Sequence, residues 1–141
     1  FDELHLLYGL HTIIHSKITV HFTPGDTIGP VILGVQLHSQ ASPDSNIVTT
    51  AESSYSTITT MNGAANGATK LMQTYTPKFA GISAPMSANE LQGTAIANCD
   101  NDSYYHVVAA SAGTTDEASI QTFVILEYVA IFSDPIRPGQ S

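Results

Sequence analysis

The chain has 141 residues, of which 11% are charged, and its formal net charge is −8 with only four Lys and Arg residues. That balance argues against a nucleic-acid-binding face, because such a face needs clustered basic residues to displace counterions from phosphate. The single cysteine excludes an internal disulfide and a cysteine-based metal site, and no apolar run approaches the ~20 residues of a membrane-spanning helix.

A chain of this length folds as one domain that buries roughly two thirds of its unfolded surface, so we expect a single domain over residues 1–141. Small and polar residues take the place of charged ones, which gives a surface suited to packing against other protein. Secreted lectins and adhesins share this composition. We find no signal-peptide pattern, and the chain starts at Phe1 rather than Met, so we expect further residues upstream.

The first third of the chain predicts a short helix followed by two strands. Phe1–Tyr8 has acidic residues in its first turn, and Gly9 is a typical helix terminator. Leu10–Phe22 alternates in the manner of a strand, and a turn cluster separates it from a second alternating strand, Val31–His38. One face of the first strand carries Ile14, Ser16, Ile18, Val20 and Phe22, and the other carries His11, Ile13, His15, Lys17, Thr19 and His21.

The middle of the chain is weakly patterned. Residues 39–60 are rich in Ser and Thr, which predicts long loops with one helical turn near Glu52. A strand is expected over Thr69–Thr76, and Ser87 with Glu90 forms a capping-box pattern for a second short helix.

The C-terminal third predicts two strands, Tyr104–Ser111 and Ile120–Phe132. The second is a long run of β-branched and aromatic residues, a composition that favours a strand over a helix. Both of its faces are apolar except at Glu127. We therefore expect a central strand of a large sheet, buried on both faces and covered by the rest of the domain or by a neighbouring subunit.

These elements predict an all-β fold, an antiparallel β-sandwich with one or two short helices and long loops. A jelly roll uses about eight strands, whereas the pattern supplies fewer. The missing first strand is expected upstream of Phe1.

Several motifs follow one another in the order found in one family of viral proteins. The chain resembles the capsid proteins of small circular single-stranded DNA viruses that encode a replication initiator, the circovirus-like viruses. In that family a short helix leads into a strand similar to the one here, and the resemblance covers both ends of the chain. The matching segments are Phe1–Leu4 with Tyr8, Ile14–Phe22, Pro30–Leu37, Lys78–Gly81, Asn98 with Tyr104–His106, and Phe132–Pro135.

The resemblance implies a single domain of viral jelly-roll type. It also implies a structural protein, not an enzyme, that needs no cofactor. Its partners would be identical capsid subunits, commonly sixty in a T=1 icosahedral shell, and the viral single-stranded DNA. A basic N-terminal arm ahead of the jelly roll would package that DNA, and no such arm is present in these 141 residues. The expected location is the virion, with the host nucleus or cytoplasm during assembly; the resemblance gives no host receptor.

Histidines on the first strand invite two interpretations. His11 and His15 have the spacing of half a helical zinc site, but strand geometry separates His11 and His15 by about 13 Å, so we expect no metal there. His15, Lys17 and His21 instead form a weakly cationic row that could face nucleic acid in the capsid lumen. The alternative for this row is a solvated sheet face or a subunit contact.

The other candidates are three acidic residues and one arginine. Asp100 and Asp102 have the local character of a calcium ligand pair, with a plain Asx-rich turn as the alternative. Glu127 is expected to form either a structural ion pair or a subunit-interface contact, and Arg137 is the other interface candidate. The possible cationic partners of Glu127 are Lys17, Lys70, Lys78 and Arg137. We find no nucleophile elbow, no zinc-protease motif and no other catalytic constellation.

Two further functions remain open. One is a secreted or cell-surface β-sandwich binding module of the lectin or adhesin kind, although the chain has no Trp for a carbohydrate platform. The other is a β-sandwich hydrolase acting on carbohydrate, which would need two carboxylates facing one cleft.

Overall fold

The computed structural model describes residues 4, 6–25, 30–44, 46–62, 68–83, 89–94, 97, 99–111 and 119–136. Within these residues the chain forms seven strands, one short α-helix and two 3-10 helices. The strands are β1 (Tyr8–Pro24), β2 (Pro30–His38), β3 (Ser56–Asn62), β4 (Thr69–Tyr75), β5 (Gln92–Gly93), β6 (Tyr104–Ser111) and β7 (Ile120–Pro135). The α-helix is α1 (Ile47–Glu52), and the 3-10 helices are Pro77–Ala80 and Asn89–Leu91.

The described strands form two antiparallel sheets, which confirms the predicted all-β sandwich. In the first sheet β1 pairs with β4, β5 and β7, and in the second the order is β3-β2-β6. Strand β2 is therefore central, with Leu33 opposite Thr59 on one side and opposite Ala109 on the other.

The chain divides into two compact units. Unit 1 is drawn from Phe1–Ser16, Tyr75–Asp102 and Tyr128–Ser141, and unit 2 from Lys17–Thr74 and Ser103–Glu127. Strands β1 and β7 are long enough to contribute residues to both units.

Unit 2 holds the main hydrophobic core. Alternation along β1 and β2 sends every second side chain to the same face, and those faces are the buried ones. Each such side chain contributes roughly 1.5–3 kcal/mol when it is fully buried. The core consists of Ile18, Val20, Phe22, Val31, Leu33, Val35, Met61 and Leu71, with Tyr105 and Ile120 packed partly against it.

Helix α1 belongs to unit 2 and begins at a side-chain cap. The Asn46 carboxamide oxygen accepts the Thr49 backbone N–H at 2.9 Å, which satisfies one of the free donors of the first turn. A methyl group placed on Gly34 of β2 would lie 3.6 Å from the Ile47 side chain. The helix therefore packs near a point on β2 where the sheet carries no side chain.

Unit 1 is organised around aromatic contacts. The Tyr8 and Phe132 ring centroids are 6.0 Å apart, and Tyr75 meets Phe79 edge-on at 6.3 Å. Gly93 faces His11 across the β1–β5 pairing, and a methyl group there would meet the imidazole at 2.6 Å. Glycine is thus needed for this close approach.

Several boundaries differ from the sequence prediction. Strand β1 begins at Tyr8 and includes Gly9, which was predicted to end a helix; the predicted helix itself rests on Phe1, Asp2 and Glu3, which lie outside the described residues. Strand β3 was predicted as loop because its Ser and Thr residues give no apolar alternation, yet it pairs with β2 along its whole length. The helical turn near Glu52 is present as α1.

The prediction for the last strand was wrong in one respect. β7 is long, but it is not a central strand buried on both faces, because its pairing among the described residues is with β1 alone and residues 121–129 are exposed. The predicted capping box falls partly on Ser87, outside the described residues, although Glu90 lies in a 3-10 helix.

Candidate assembly surface

Strand β7 exposes large apolar side chains on both faces within unit 2. Phe123 is 65% exposed and Leu126 is 55% exposed. Neighbouring strand residues point to opposite faces, so the odd-numbered and even-numbered residues of β7 lie on different surfaces. Each surface requires its own explanation, because large apolar patches on a protein surface mark sites of contact.

Two cross-strand contacts establish which face is which. The Lys17 ammonium of β1 lies 3.4 Å from the Glu127 carboxylate of β7, and the His21 and Phe123 ring centroids are 6.3 Å apart. Advancing along β1 from Lys17 to His21 corresponds to an equal step backwards along β7, as antiparallel pairing requires. Paired residues share a face, so Phe123, Ile125 and Glu127 lie on the outer face, away from Ile18, Val20 and Phe22 of the core.

The other face of β7 continues the core surface. Val124 and Leu126 lie on the same side as the buried Val20, yet Val124 is 46% exposed. Val107 of β6 resembles Val124 in this respect. It stands opposite the fully buried Val35 of β2, yet its own side chain is 39% exposed. We call Val107, Val124 and Leu126 the open side, because they face the sandwich interior but remain uncovered.

The open side lies on strands that end the described parts of their sheets. β6 is the last strand of its sheet, and β7 pairs with β1 but with no other described strand. An exposed strand edge presents a row of free backbone N–H and C=O groups that can accept a further strand. Both sheets can therefore be extended at their β6 and β7 edges by strands outside the described residues.

The outer face carries the predicted cationic row. Lys17 and His21 belong to unit 2 and each contacts β7, while His15 is exposed in unit 1. Glu127 lies against Lys17 and offsets its charge, so this part of the row has little net positive potential. We call Phe123, Ile125 and Glu127 with Lys17 and His21 the outer patch; it is apolar at one end and carries an ion pair at the other.

The Glu127 side chain is exposed to solvent, so its negative charge does not require a buried partner of opposite charge. An exposed ion pair of this kind contributes about 0–1 kcal/mol to stability. Its fellow interface candidate, Arg137, lies outside the described residues. The role of Glu127 in subunit contacts stays a prediction.

The acidic loop of unit 1 centres on a thiol. Asp100 is exposed, and the Asp102 carboxylate is 3.5 Å from the Cys99 sulfur. Partial burial raises the pKa of the Cys99 thiol, and the hydrogen bond to Asp102 and its negative charge raise that pKa further. Among the residues that the structure describes, no three His, Cys, Asp or Glu side chains are grouped to hold a metal ion.

Unit 1 also contains a groove. It lies beside the 3-10 helix Pro77–Ala80, and its lining contains one ionisable side chain, Lys78, and no carboxylate. The carbohydrate-hydrolase alternative would need two carboxylates facing one cleft, which this lining does not supply. No helix among the described residues is long and apolar enough to cross a membrane.

Alternation alone identified the two apolar faces of β7 but neither their exposure nor the open side. Val107 was missed because its exposure depends on which strands lie beside β6, which is a property of the pairing.

Comparison of the chain with protein-family models, with curated proteins and with solved structures finds no match.

Proposed function

We propose that this chain is the shell domain of a viral coat protein, a jelly roll that self-associates into a closed icosahedral shell around circular single-stranded DNA. The order of its strands is the observation that carries this proposal. The open side and the outer patch supply two surfaces that an isolated domain would leave uncovered.

A jelly roll is a long antiparallel ribbon folded into two sheets. Its first strand pairs with the eighth, the second with the seventh, the third with the sixth and the fourth with the fifth. One sheet then has the order first-eighth-third-sixth, and the other has the order second-seventh-fourth-fifth.

The six long described strands fit the third to eighth positions of this scheme. Taking β1 as the third strand makes β4 the sixth and β7 the eighth, in agreement with the pairing of β1 with both. Taking β2 as the fourth makes β3 the fifth and β6 the seventh, in agreement with the sheet order β3-β2-β6. The two positions left over are the first and second strands.

Those two strands would extend the sheets at the β7 and β6 edges. They would cover the open side, Val107, Val124 and Leu126, which is apolar and faces the interior. In this proposal, strands outside the described residues supply them. One apolar face of β7 is thus completed within the subunit.

The outer patch has a different role. Strands added in the plane of the sheet leave the outer side chains Phe123 and Ile125 uncovered, so in this proposal a neighbouring subunit covers them. Closed symmetric assembly buries such a patch in every copy and leaves no free surface for open-ended aggregation. The low charge of the chain, 11% of residues, agrees with a surface that packs against other protein.

Genome binding is assigned to the basic arm that the resemblance implies. With four Lys and Arg against twelve Asp and Glu, the 141 residues offer little phosphate neutralisation of their own. The Lys17–Glu127 pair lowers the potential of the strand row further. Any contact of His15, Lys17 and His21 with DNA would therefore add to the arm and not replace it.

The test is a pair of charge substitutions in the full polypeptide. Phe123→Glu places a carboxylate in the outer patch, while Val48→Glu places one on α1 at a similarly exposed position. We expect both variants to keep the wild-type circular dichroism spectrum, and only Phe123→Glu to abolish assembly by sedimentation velocity. Normal assembly of Phe123→Glu would overturn the subunit contact, and a monomeric wild type would favour the binding-module alternative.

A further inference from the structure

We propose that His38 and His106 form an acid-releasable clasp on the loop that follows β2. This inference concerns unit 2 alone and does not depend on the shell function. The loop comprises residues 39–44, between the end of β2 and helix α1.

Two histidine rings form hydrogen bonds with the backbone N–H and C=O groups of Gln40 in this loop. The Gln40 backbone N–H donates to Nδ1 of His38 at 2.9 Å, and Nε2 of His106 lies 2.8 Å from the Gln40 carbonyl oxygen. The two histidines sit on neighbouring strands, with ring centroids 5.9 Å apart. The Gln40 backbone is thus hydrogen-bonded to one histidine on each strand of the β2–β6 pair.

These contacts fix the protonation of each ring. Nδ1 of His38 accepts a hydrogen bond, so it must carry a lone pair and not a proton. Nε2 of His106 faces a carbonyl oxygen, so it must carry a proton, a condition met by both the neutral ring and the imidazolium. Only His38 is therefore required to be neutral.

The surrounding groups agree with this assignment. Nε2 of His38 faces Asp44 Oδ1 at 3.8 Å, and the other Asp44 oxygen accepts from the Gln36 carboxamide at 2.6 Å. Among the described residues, β6 contributes two further titratable neighbours. They are His106 and Tyr104, which lies opposite His38 and stacks on the His106 ring at 6.4 Å. Tyr55 stands in the turn ahead of β3, where its carbonyl accepts the Leu37 N–H.

Protonation of His38 breaks one of the two hydrogen bonds of the clasp, the one from the Gln40 N–H. A proton added to His38 occupies Nδ1, and two N–H groups then face each other where a hydrogen bond had been. A charged His106 would add repulsion between the rings, while Asp44 attracts the Nε2–H side of His38 in either state. The clasp is therefore closed while His38 is neutral and opens when His38 takes up a proton.

Amide exchange at Gln40 tests this in the full polypeptide labelled with 15N-glutamine. The rate, measured by NMR at pH 7.5 and pH 5.5, is divided by the intrinsic rate at each pH. We expect protection of the wild-type Gln40 amide to fall about ten-fold at the lower pH, the change produced by losing one hydrogen bond of ordinary strength.

Two matched variants separate the histidines. In His38→Asn the side-chain oxygen can accept the Gln40 N–H but cannot titrate, so protection should be independent of pH. In His106→Gln the amide can still donate to the Gln40 carbonyl, so the wild-type fall should persist. Equal protection at both pH values in the wild type, or an equal fall in His38→Asn, would overturn the proposal.

Discussion

The ammonium group of Lys17 on β1 lies 3.4 Å from the carboxylate of Glu127 on β7. This contact and the His21–Phe123 contact place the odd-numbered residues of β7 on the outer face of the sheet. The even-numbered residues Val124 and Leu126 consequently belong to the sandwich interior. The two apolar faces of β7 therefore differ: one faces the sandwich interior and the other lies on the outer surface of the sheet.

We predict that the Lys17–Glu127 pair itself adds little to stability. Both side chains are exposed, so a double-mutant cycle with Lys17→Met and Glu127→Gln should give a coupling energy below about 1 kcal/mol. Urea unfolding of the unassembled chain at low and high salt is the measurement, and salt should reduce the coupling. A coupling above about 2 kcal/mol would mean that the pair is desolvated, in contradiction to its exposure.

Core and outer-patch substitutions should separate folding from association. Leu33 is fully buried, so Leu33→Ala should cost about 2–5 kcal/mol of unfolding free energy. Phe123 is exposed, and Phe123→Ala should change that free energy by no more than about 0.5 kcal/mol. The unfolding free energy is measured on dilute chain, and self-association by sedimentation of the full polypeptide.

Although Phe123→Ala should leave the unfolding free energy almost unchanged, it should have a clear effect in sedimentation. Its truncation should weaken association, because it removes an apolar contact from the outer patch. A large loss of stability in Phe123→Ala would show that the side chain is packed within its own subunit, which contradicts its assignment to a subunit contact.

Gly34 should tolerate no side chain. A methyl group there would lie 2.8 Å from the Val108 side chain and 3.4 Å from that of Ile58, so Gly34→Ala should cost about 1–3 kcal/mol through overpacking. Thermal or urea unfolding measures the loss. Adding Val108→Ala should recover part of it, with Val108→Ala alone as the control; no recovery in the double variant would place the strain elsewhere.

Cys99 should behave as a weakly reactive thiol. Its raised pKa, due first to burial and then to Asp102, keeps it protonated at pH values where an unperturbed thiol begins to ionise, and the thiolate is the nucleophile. The rate of iodoacetamide alkylation should therefore rise at higher pH than for a free cysteine. Asp102→Asn should shift the profile back towards lower pH, and an unchanged profile would contradict the role of Asp102.

Sequence patterning predicted the strands whose apolar residues alternate. β2 and β6 were placed within one residue of their ends, because Val31, Leu33 and Val35 mark a buried face that only a strand produces. β3 escaped prediction because its Thr-rich face is not strongly apolar and Met61 alone is fully buried in it. Its position follows from pairing with β2, which no local pattern encodes.

The candidate surfaces were less accessible to sequence analysis. The pattern of β7 predicts two apolar faces but not whether a covering element lies within the described residues. The ion pair between Lys17 and Glu127 depends on β1 and β7 being neighbours. The clasp likewise depends on His38 and His106 lying close together on two neighbouring strands. Such long-range contacts are set by topology, so they became visible only once the sheet order was known.

Negative-stain electron microscopy of the purified full polypeptide tests the coat-protein proposal most directly. The account predicts uniform closed particles, with a sedimentation mass close to sixty times that of one chain. A protein that stays monomeric at high concentration, with no particles on the grid, would contradict it.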